Sequence, residues 1–307
     1  MLIPRFLRPL LTACTWAATA TATLTPGFAQ VCAGLQGIVD PGSTHPSYGQ
    51  AFLSHDGSVA ALTRELPSGA LAAFRWTEQE GFELLDPGSA FESSVTAISG
   101  DGQVIIGRLI TSSGPGIPFR WRAQGGLERI SPDGDSASAV ALSFDGSVIV
   151  GIATAGFSVR GWRWEAHAFT YFTGPDDFPP IPLGISDDGL VIAGSYGFQS
   201  SNYGGFRWDA VNGTVDLGRL IAPPGATAGV LRVEGMSGDG NVIVGSARFS
   251  DNTWSGFRWT PATGMTRLPT LGGSVARARA VSADGRTIVG SSSITPGSLG
   301  PGVATIW

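Results

Sequence analysis

The chain has 307 residues, with 19 Lys plus Arg against 24 Asp plus Glu and a net charge of −5. Every member of that basic set is Arg, so there is no amine for a Walker-type phosphate loop or a Schiff base, and the acidic balance repels nucleic acid and anionic lipid heads. With only Cys14 and Cys32 present, a disulfide framework is excluded as the source of stability.

Residues 1–29 carry Arg5 and Arg8 and no acid, then a small and apolar stretch over residues 10–24, then Gly27-Phe28-Ala29 ahead of Gln30. That is the pattern of a secretory signal peptide, with cleavage expected after Ala29 and a product that is secreted, periplasmic or on the surface of a Gram-negative cell. Removal leaves 17 Arg against 24 acids, a net charge of −7, and no expected membrane span. Leu11-Thr12-Ala13-Cys14 offers a competing lipid-attachment reading, but the apolar segment after Arg8 would be shorter than the usual run of about 7 to 15 residues. Cys32 is alone in the mature chain and is expected to act as a small hydrophobe in a monomer.

Residues 30–307 are expected to form one domain. Within it a two-part pattern recurs in six copies: Ser-x-Asp-Gly with an apolar run that ends in Gly in all but the first, then a Trp that closes an aromatic-Arg-Trp triplet in all but the last. The aspartates are Asp56, Asp101, Asp145, Asp188, Asp239 and Asp284, at steps of 45, 44, 43, 51 and 45 residues. The tryptophans are Trp76, Trp121, Trp164, Trp208, Trp259 and Trp307, at steps of 45, 43, 44, 51 and 48. A period of about 40 to 50 residues marks stacked units whose hydrophobic faces only their neighbours cover.

In the second copy the β-prone runs are residues 94–98, 104–110, 118–122 and 126–130, separated by turn residues. Four short strands per copy predict an all-β fold, a six-bladed β-propeller of four-stranded blades. The Asp-Gly pairs are expected to be hairpin turns, with Gly in the left-handed region and Ser and Asp side chains bonding turn amides. In each triplet the two aromatics share one strand face and pack between sheets, while the Arg points to the next sheet's carbonyls or carboxylates.

The last copy reads Ala304-Thr305-Ile306-Trp307 and stops one strand short. Residues 34–43, Gly-Leu-Gln-Gly-Ile-Val-Asp-Pro-Gly-Ser, resemble residues 81–89, a fourth strand with its exit turn. The N-terminal strand is therefore expected to complete the last blade and close the ring, which removes exposed strand edges. An aromatic end after alternating apolar residues also resembles an outer-membrane barrel strand. The repeat already accounts for Trp307.

Taken together, Val281-Ser282-Ala283-Asp284-Gly285-Arg286-Thr287-Ile288-Val289-Gly290, the Gly-Phe-Arg-Trp triplets and Leu268-Pro269-Thr270-Leu271-Gly272-Gly273 resemble the bacterial extracellular HAF repeat family. The resemblance covers nearly all of the mature chain. It implies an exported, propeller-like protein and brings no catalytic residues with it. The first copy departs from the pattern, with Leu62 where the apolar run should end in Gly, so its hairpin is expected to be less regular.

With the first strand of each copy innermost, the Asp-Gly turns share one face of the disc. The second-to-third and fourth-to-first connections share the opposite face, and they vary most between copies, as function-bearing loops do. The richest carry Tyr196, Phe198 and Tyr203 in copy four and Phe249 and Trp254 in copy five. Exposed aromatics suit sugar or peptide contact, and the competing reading is that each packs within its own loop. The expected function is a non-enzymatic binding module for a protein or carbohydrate ligand at the cell surface, without cofactor or metal.

Two alternatives are a sialidase-like six-bladed glycoside hydrolase and a structural or assembly protein of the envelope. The hydrolase needs a nucleophile, a positioned acid and an Arg cluster for an anionic sugar, yet no copy breaks the pattern to place a unique acid pair. His45, His55 and His167 lack metal-ligand spacing, no Gly-x-Ser-x-Gly elbow occurs, and one recurring Asp per copy is too few oxygens for calcium.

Overall fold

The computed structural model describes residues 51–86, 91–111, 116–197, 203–218, 228–250, 253–297 and 302–307. They form six antiparallel sheets in strict chain order. The first is β1 (Ala51–Leu53), β2 (Val59–Glu65), β3 (Leu71–Thr77) and β4 (Gly81–Leu84), and the second is β5 (Glu92–Ile98), β6 (Val104–Ile110), β7 (Ile117–Arg122) and β8 (Gly126–Arg129). The third is β9 (Ser136–Leu142), β10 (Val148–Ala155), β11 (Ser158–Glu165) and β12 (Ala168–Phe172), and the fourth is β13 (Pro180–Ile185), β14 (Val191–Tyr196), β15 (Gly204–Asp209) and β16 (Gly213–Asp216). The fifth is β17 (Ala228–Met236), β18 (Ile243–Phe249), β19 (Trp254–Thr260) and β20 (Gly264–Arg267); the sixth has three described strands, β21 (Ala276–Val281), β22 (Ile288–Ser292) and β23 (Val303–Ile306). Residues 34–43, expected to supply the closing strand, lie outside the described residues.

Each of the first five sheets is a blade packed on its successor. Five apolar clusters each combine one sheet with the next: Ala61 with Ile105 and Phe119, Ile106 with Ile149 and Trp162, Val150 with Ile192 and Phe206, Ala193 with Ile243 and Phe257, and Val244 with Ile288. The first strands lie against one another in succession, which puts them on the inner edge. This is the arrangement of propeller blades, and the side-chain period of two explains it: successive residues of a second strand face opposite neighbours.

The six Ser-x-Asp-Gly segments fold alike. In each, the Ser hydroxyl donates to the Asp carboxylate at 2.5–2.8 Å and the amide two residues beyond the Asp donates to the same oxygen. The Ser hydroxyl oxygen accepts the amide five residues on, and the turn Gly sits at φ between +67° and +74°. A backbone chain then links successive turns through the variable residue: Phe144 N–H to Asp187 O at 3.0 Å, Asp187 N–H to Gly238 O at 2.7 Å, and Gly238 N–H to Ala283 O at 2.9 Å.

The Gly that ends the apolar run has a separate cause. In sheets two to six the first strand carries a β-bulge, so that the third residue before the turn Ser is extruded and the fourth pairs with that Gly. A Cβ on Gly107, Gly151, Gly194, Gly245 or Gly290 would strike the carbonyl oxygen of Ser94, Ser138, Ile181, Arg232 or Arg277. Only glycine admits that approach. The first sheet, with Leu62, pairs Ala51↔Leu62, Phe52↔Ala61 and Leu53↔Ala60 without a break. The expectation of a less regular first hairpin is corrected: it is the regular one, because a side chain at that position leaves no room for the bulge.

Candidate ligand-binding site

The recurrent Ser and Asp of the turns and four of the triplet arginines are committed to the scaffold. Arg75 stands over the Trp121 ring of the next sheet at 5.8 Å and Arg120 over Trp164 at 4.4 Å, while Arg163 and Arg207 donate to the Gly189 and Gly240 carbonyls of the next turn. Each also pairs with an acid of its own sheet: Arg75 with Glu80, Arg120 with Glu128, Arg163 with Glu165, and Arg207 with Asp209. Stacking between sheets plus ion pairing within one uses the flat guanidinium as Lys could not. For Glu80 the hydrogen bond and charge of Arg75 lower the pKa. Burial opposes ionisation of Asp209, but hydrogen bonds from the Asn212 side chain and amide and from Arg207 bring it down to about 2.

The aromatics expected on the loop face divide. Tyr196 is the last residue of β14 and only 6% exposed; it stacks on Phe178 at 5.9 Å and its hydroxyl donates to Asp216 at 2.7 Å. Phe249 ends β18, is 2% exposed, and lies beneath the Arg267 guanidinium in the fifth sheet's core. Both side chains are buried within their sheets, Tyr196 against Phe178 and Asp216 and Phe249 beneath Arg267, because the strands run further than the sequence pattern indicates. Phe198 lies outside the described residues. Tyr203 is half-buried just ahead of β15, and Trp254 opens β19, half-buried, with the Arg277 guanidinium 4.7 Å above its ring. An aromatic the sequence reading passed over, Phe157, is fully exposed in the tight β10–β11 turn on the same face.

The inner edge differs between sheets. At the fifth and third positions before the turn Ser, sheets two to four have Ser94 and Thr96, Ser138 and Val140, and Ile181 and Leu183. Sheet five has Arg232 and Glu234, and sheet six Arg277 and Arg279. Their strand neighbours Leu231, Val233, Ala276 and Ala278 are buried. Glu234 and Arg279, both extruded at the bulge, make an ion pair across the two strands at 3.3 Å. The signal was available as Leu-Arg-Val-Glu and Ala-Arg-Ala-Arg-Ala, alternating charge in strands that are uncharged there in other copies. At the turn face, the His55 and Phe144 rings meet edge to face at 5.7 Å over Gly100. Among the described residues, no group of three or more His, Cys, Asp or Glu side chains is placed to hold a metal ion, and no helix is long and apolar enough to cross a membrane.

The chain matches no family model and no curated protein. Among solved structures it is similar to TolB from Acinetobacter baumannii, at 15% identity and TM-score 0.48, over 71% of this chain and 53% of that one, so it spans about half that protein's length. A putative TolB from Agrobacterium tumefaciens gives 14% identity and TM-score 0.50 over 73% and 82%. A prolyl endopeptidase gives 13% identity and TM-score 0.52, with 78% of this chain covering 38% of that one. Likeness at this level is likeness of fold.

Proposed function

We propose that this chain is an exported HAF-type repeat propeller that binds a protein or carbohydrate ligand at the cell surface through the face opposite its Asp-Gly turns, and that it catalyses no reaction. The observation that carries this reading is the commitment of the repeated Ser and Asp side chains to turns and of Arg75, Arg120, Arg163 and Arg207 to sheet-to-sheet clamps, which leaves the variable residues to meet a partner. Tyr203, Trp254 and Phe157 belong to that variable set. The signal-peptide pattern of residues 1–29 supports export. Probing glycan and peptide arrays with the exported protein, and with its Tyr203→Ala/Trp254→Ala variant, tests the assignment. Binding lost at an unchanged melting temperature supports it; binding that persists overturns the loop-face contact, and hydrolysis of a fluorogenic glycoside panel overturns the non-enzymatic reading.

Ring closure by residues 34–40 is part of the proposal. Val289 is 40% exposed although its counterparts Ala61, Ile106, Val150, Ala193 and Val244 are fully buried against the following sheet. Its strand partner Ile306, at the position held elsewhere by the clamping Arg, is 74% exposed. Two apolar side chains on the face that other sheets cover fit the first sheet as the missing neighbour. Among the described residues β23 is the last strand of its sheet, an edge that a strand at residues 34–40 would fit.

A further inference from the structure

The connection between β10 and β11 is unlike its counterparts. It has two residues, Gly156 and Phe157, where the first sheet has residues 66–70, and its flanking strands are eight residues each, the longest second and third strands described. Gly156 takes the left-handed position at φ +59°, which a tight hairpin asks of a glycine at its first central residue. Nothing in that turn asks for an aromatic at the second. The hairpin is also strapped at its tip: the Asp135 amide donates to Thr154 O at 2.6 Å, and the Asp135 carboxylate accepts the Gly156 N–H at 2.7 Å. Phe157 is 109% exposed, so folding shelters none of its ring.

A rigid stalk that holds one apolar ring in water is a knob, and the partner must bring the hole. A sugar stacked on a lone ring would leave the other face and the edges wet, so Phe157 by itself cannot hold a small ligand. Only a concave apolar surface buries an aromatic side chain, about 150–250 Å², on all sides. The charge beside the ring selects between such surfaces. The Asp135 carboxylate stands at the tip, with no arginine within ion-pair distance among the described residues, and Asp133, whose amide donates to the Tyr171 hydroxyl, adds a second negative charge to the same loop. Arg160, three residues beyond Phe157, lies over the Tyr171 ring at 4.4 Å. Carboxylates there repel an anionic membrane and complement a basic group on a protein.

We infer that Phe157 is the anchor by which this chain docks on a protein, inserting into an apolar pocket that has a basic residue at its rim to meet Asp135. This rests on the loop-face reading above and narrows its partner to a protein. The hairpin is already in its bound shape, so docking orders little besides the ring.

The test places the photo-reactive p-benzoylphenylalanine at position 157 of the full chain, in the cells that produce it, with the same group at Val211 as control. Val211 is 91% exposed in the β15–β16 turn, on the opposite face. Irradiation should give one discrete protein adduct from position 157 and none from position 211. The protein identified in that adduct is then purified and titrated against the chain. Phe157→Ala should weaken binding about tenfold or more at an unchanged Tm. Asp135→Asn, which keeps an acceptor for the Gly156 N–H, should weaken binding and flatten its salt dependence. No protein adduct from position 157, the same adduct from position 211, full affinity in Phe157→Ala, or co-sedimentation with phosphatidylglycerol/phosphatidylethanolamine vesicles that needs Phe157 overturns the inference. Array binding that depends on Tyr203 and Trp254 without an adduct at position 157 sinks the anchor alone; failure of both sinks both readings.

Discussion

Gly151→Ala should be among the most damaging single-methyl additions in the chain. A Cβ there would stand 2.6 Å from Trp162 Cε2 and closer still to the Ser138 carbonyl oxygen, whereas real Cβ contacts essentially never fall below 3.0 Å. Neither neighbour yields easily: Trp162 is fully buried between sheets two and three, and the carbonyl belongs to the bulged backbone that pairs Gly151 with Ala139. Straightening the bulge would shift β9 by one residue and exchange its buried Ala137 and Ala139 for Ser136 and Ser138. Overpacking of this kind costs about 1–3 kcal/mol, and the upper half of that range is expected here. For a domain of this size it lowers Tm by about 4–12 °C. Gly184→Ala is the matched control, because a Cβ there meets nothing within 4 Å. It should leave Tm unchanged or raise it slightly. Differential scanning calorimetry of both variants decides; a Gly151→Ala protein melting within about 1 °C of wild type would refute the account of the recurring glycine.

Further outcomes follow from the turns and clamps. The Ser147 amide first, and the Ser143 and Ser147 hydroxyls with it, hold Asp145 below the usual carboxylate range against the opposing effect of burial. A depressed folded-state pKa contributes stability above the unfolded value, about 3.9, that is lost as pH falls toward the folded value. Asp145→Asn should therefore lower the urea midpoint at pH 7 and flatten its fall below about pH 4; an unchanged acid limb would contradict the turn's role. Asp209, at about 2, should extend that acid loss further, and Asp209→Asn should remove its share. Arg120→Ala should cost about 2 kcal/mol and Arg120→Lys should not recover it, because the contact over Trp164 needs the flat guanidinium; full rescue by Lys in chemical denaturation would contradict the stacking. Tyr196→Phe should destabilise by about 1 kcal/mol through loss of the Asp216 bond and leave ligand binding unaltered. A binding defect at unchanged stability would return Tyr196 to the recognition surface.

The fold was legible because its signals are local and repeated. Asp-Gly fixes a hairpin through a left-handed glycine and a side chain that bonds its own turn, and the aromatic-Arg-Trp alternation states which residues face which sheet. The strands expected at 94–98, 104–110, 118–122 and 126–130 lie within a few residues of β5 to β8. The bulge was illegible, because the glycine that permits it reads in sequence as the end of an apolar run, and its clash partner is a backbone oxygen some 13 residues earlier. The ligand face was only partly legible. Tyr196 and Phe249 read as loop aromatics because strand length beyond the apolar run is set by pairing with the next strand, as in Tyr196↔Gly204.

The ring's closure is tested most directly by a cross-link. The first sheet pairs Phe74 with Leu84, and the repeat makes Thr305 and Ile38 their counterparts in the last. In a Cys32→Ser background, Ile38→Cys with Thr305→Cys should form an intramolecular disulfide on mild oxidation, seen as a mobility shift on a non-reducing gel and a linked peptide by mass spectrometry, with a higher Tm than the reduced form. Two thiols that stay free in the folded protein, or that join only between molecules, would contradict a wheel of sheets latched by residues 34–40.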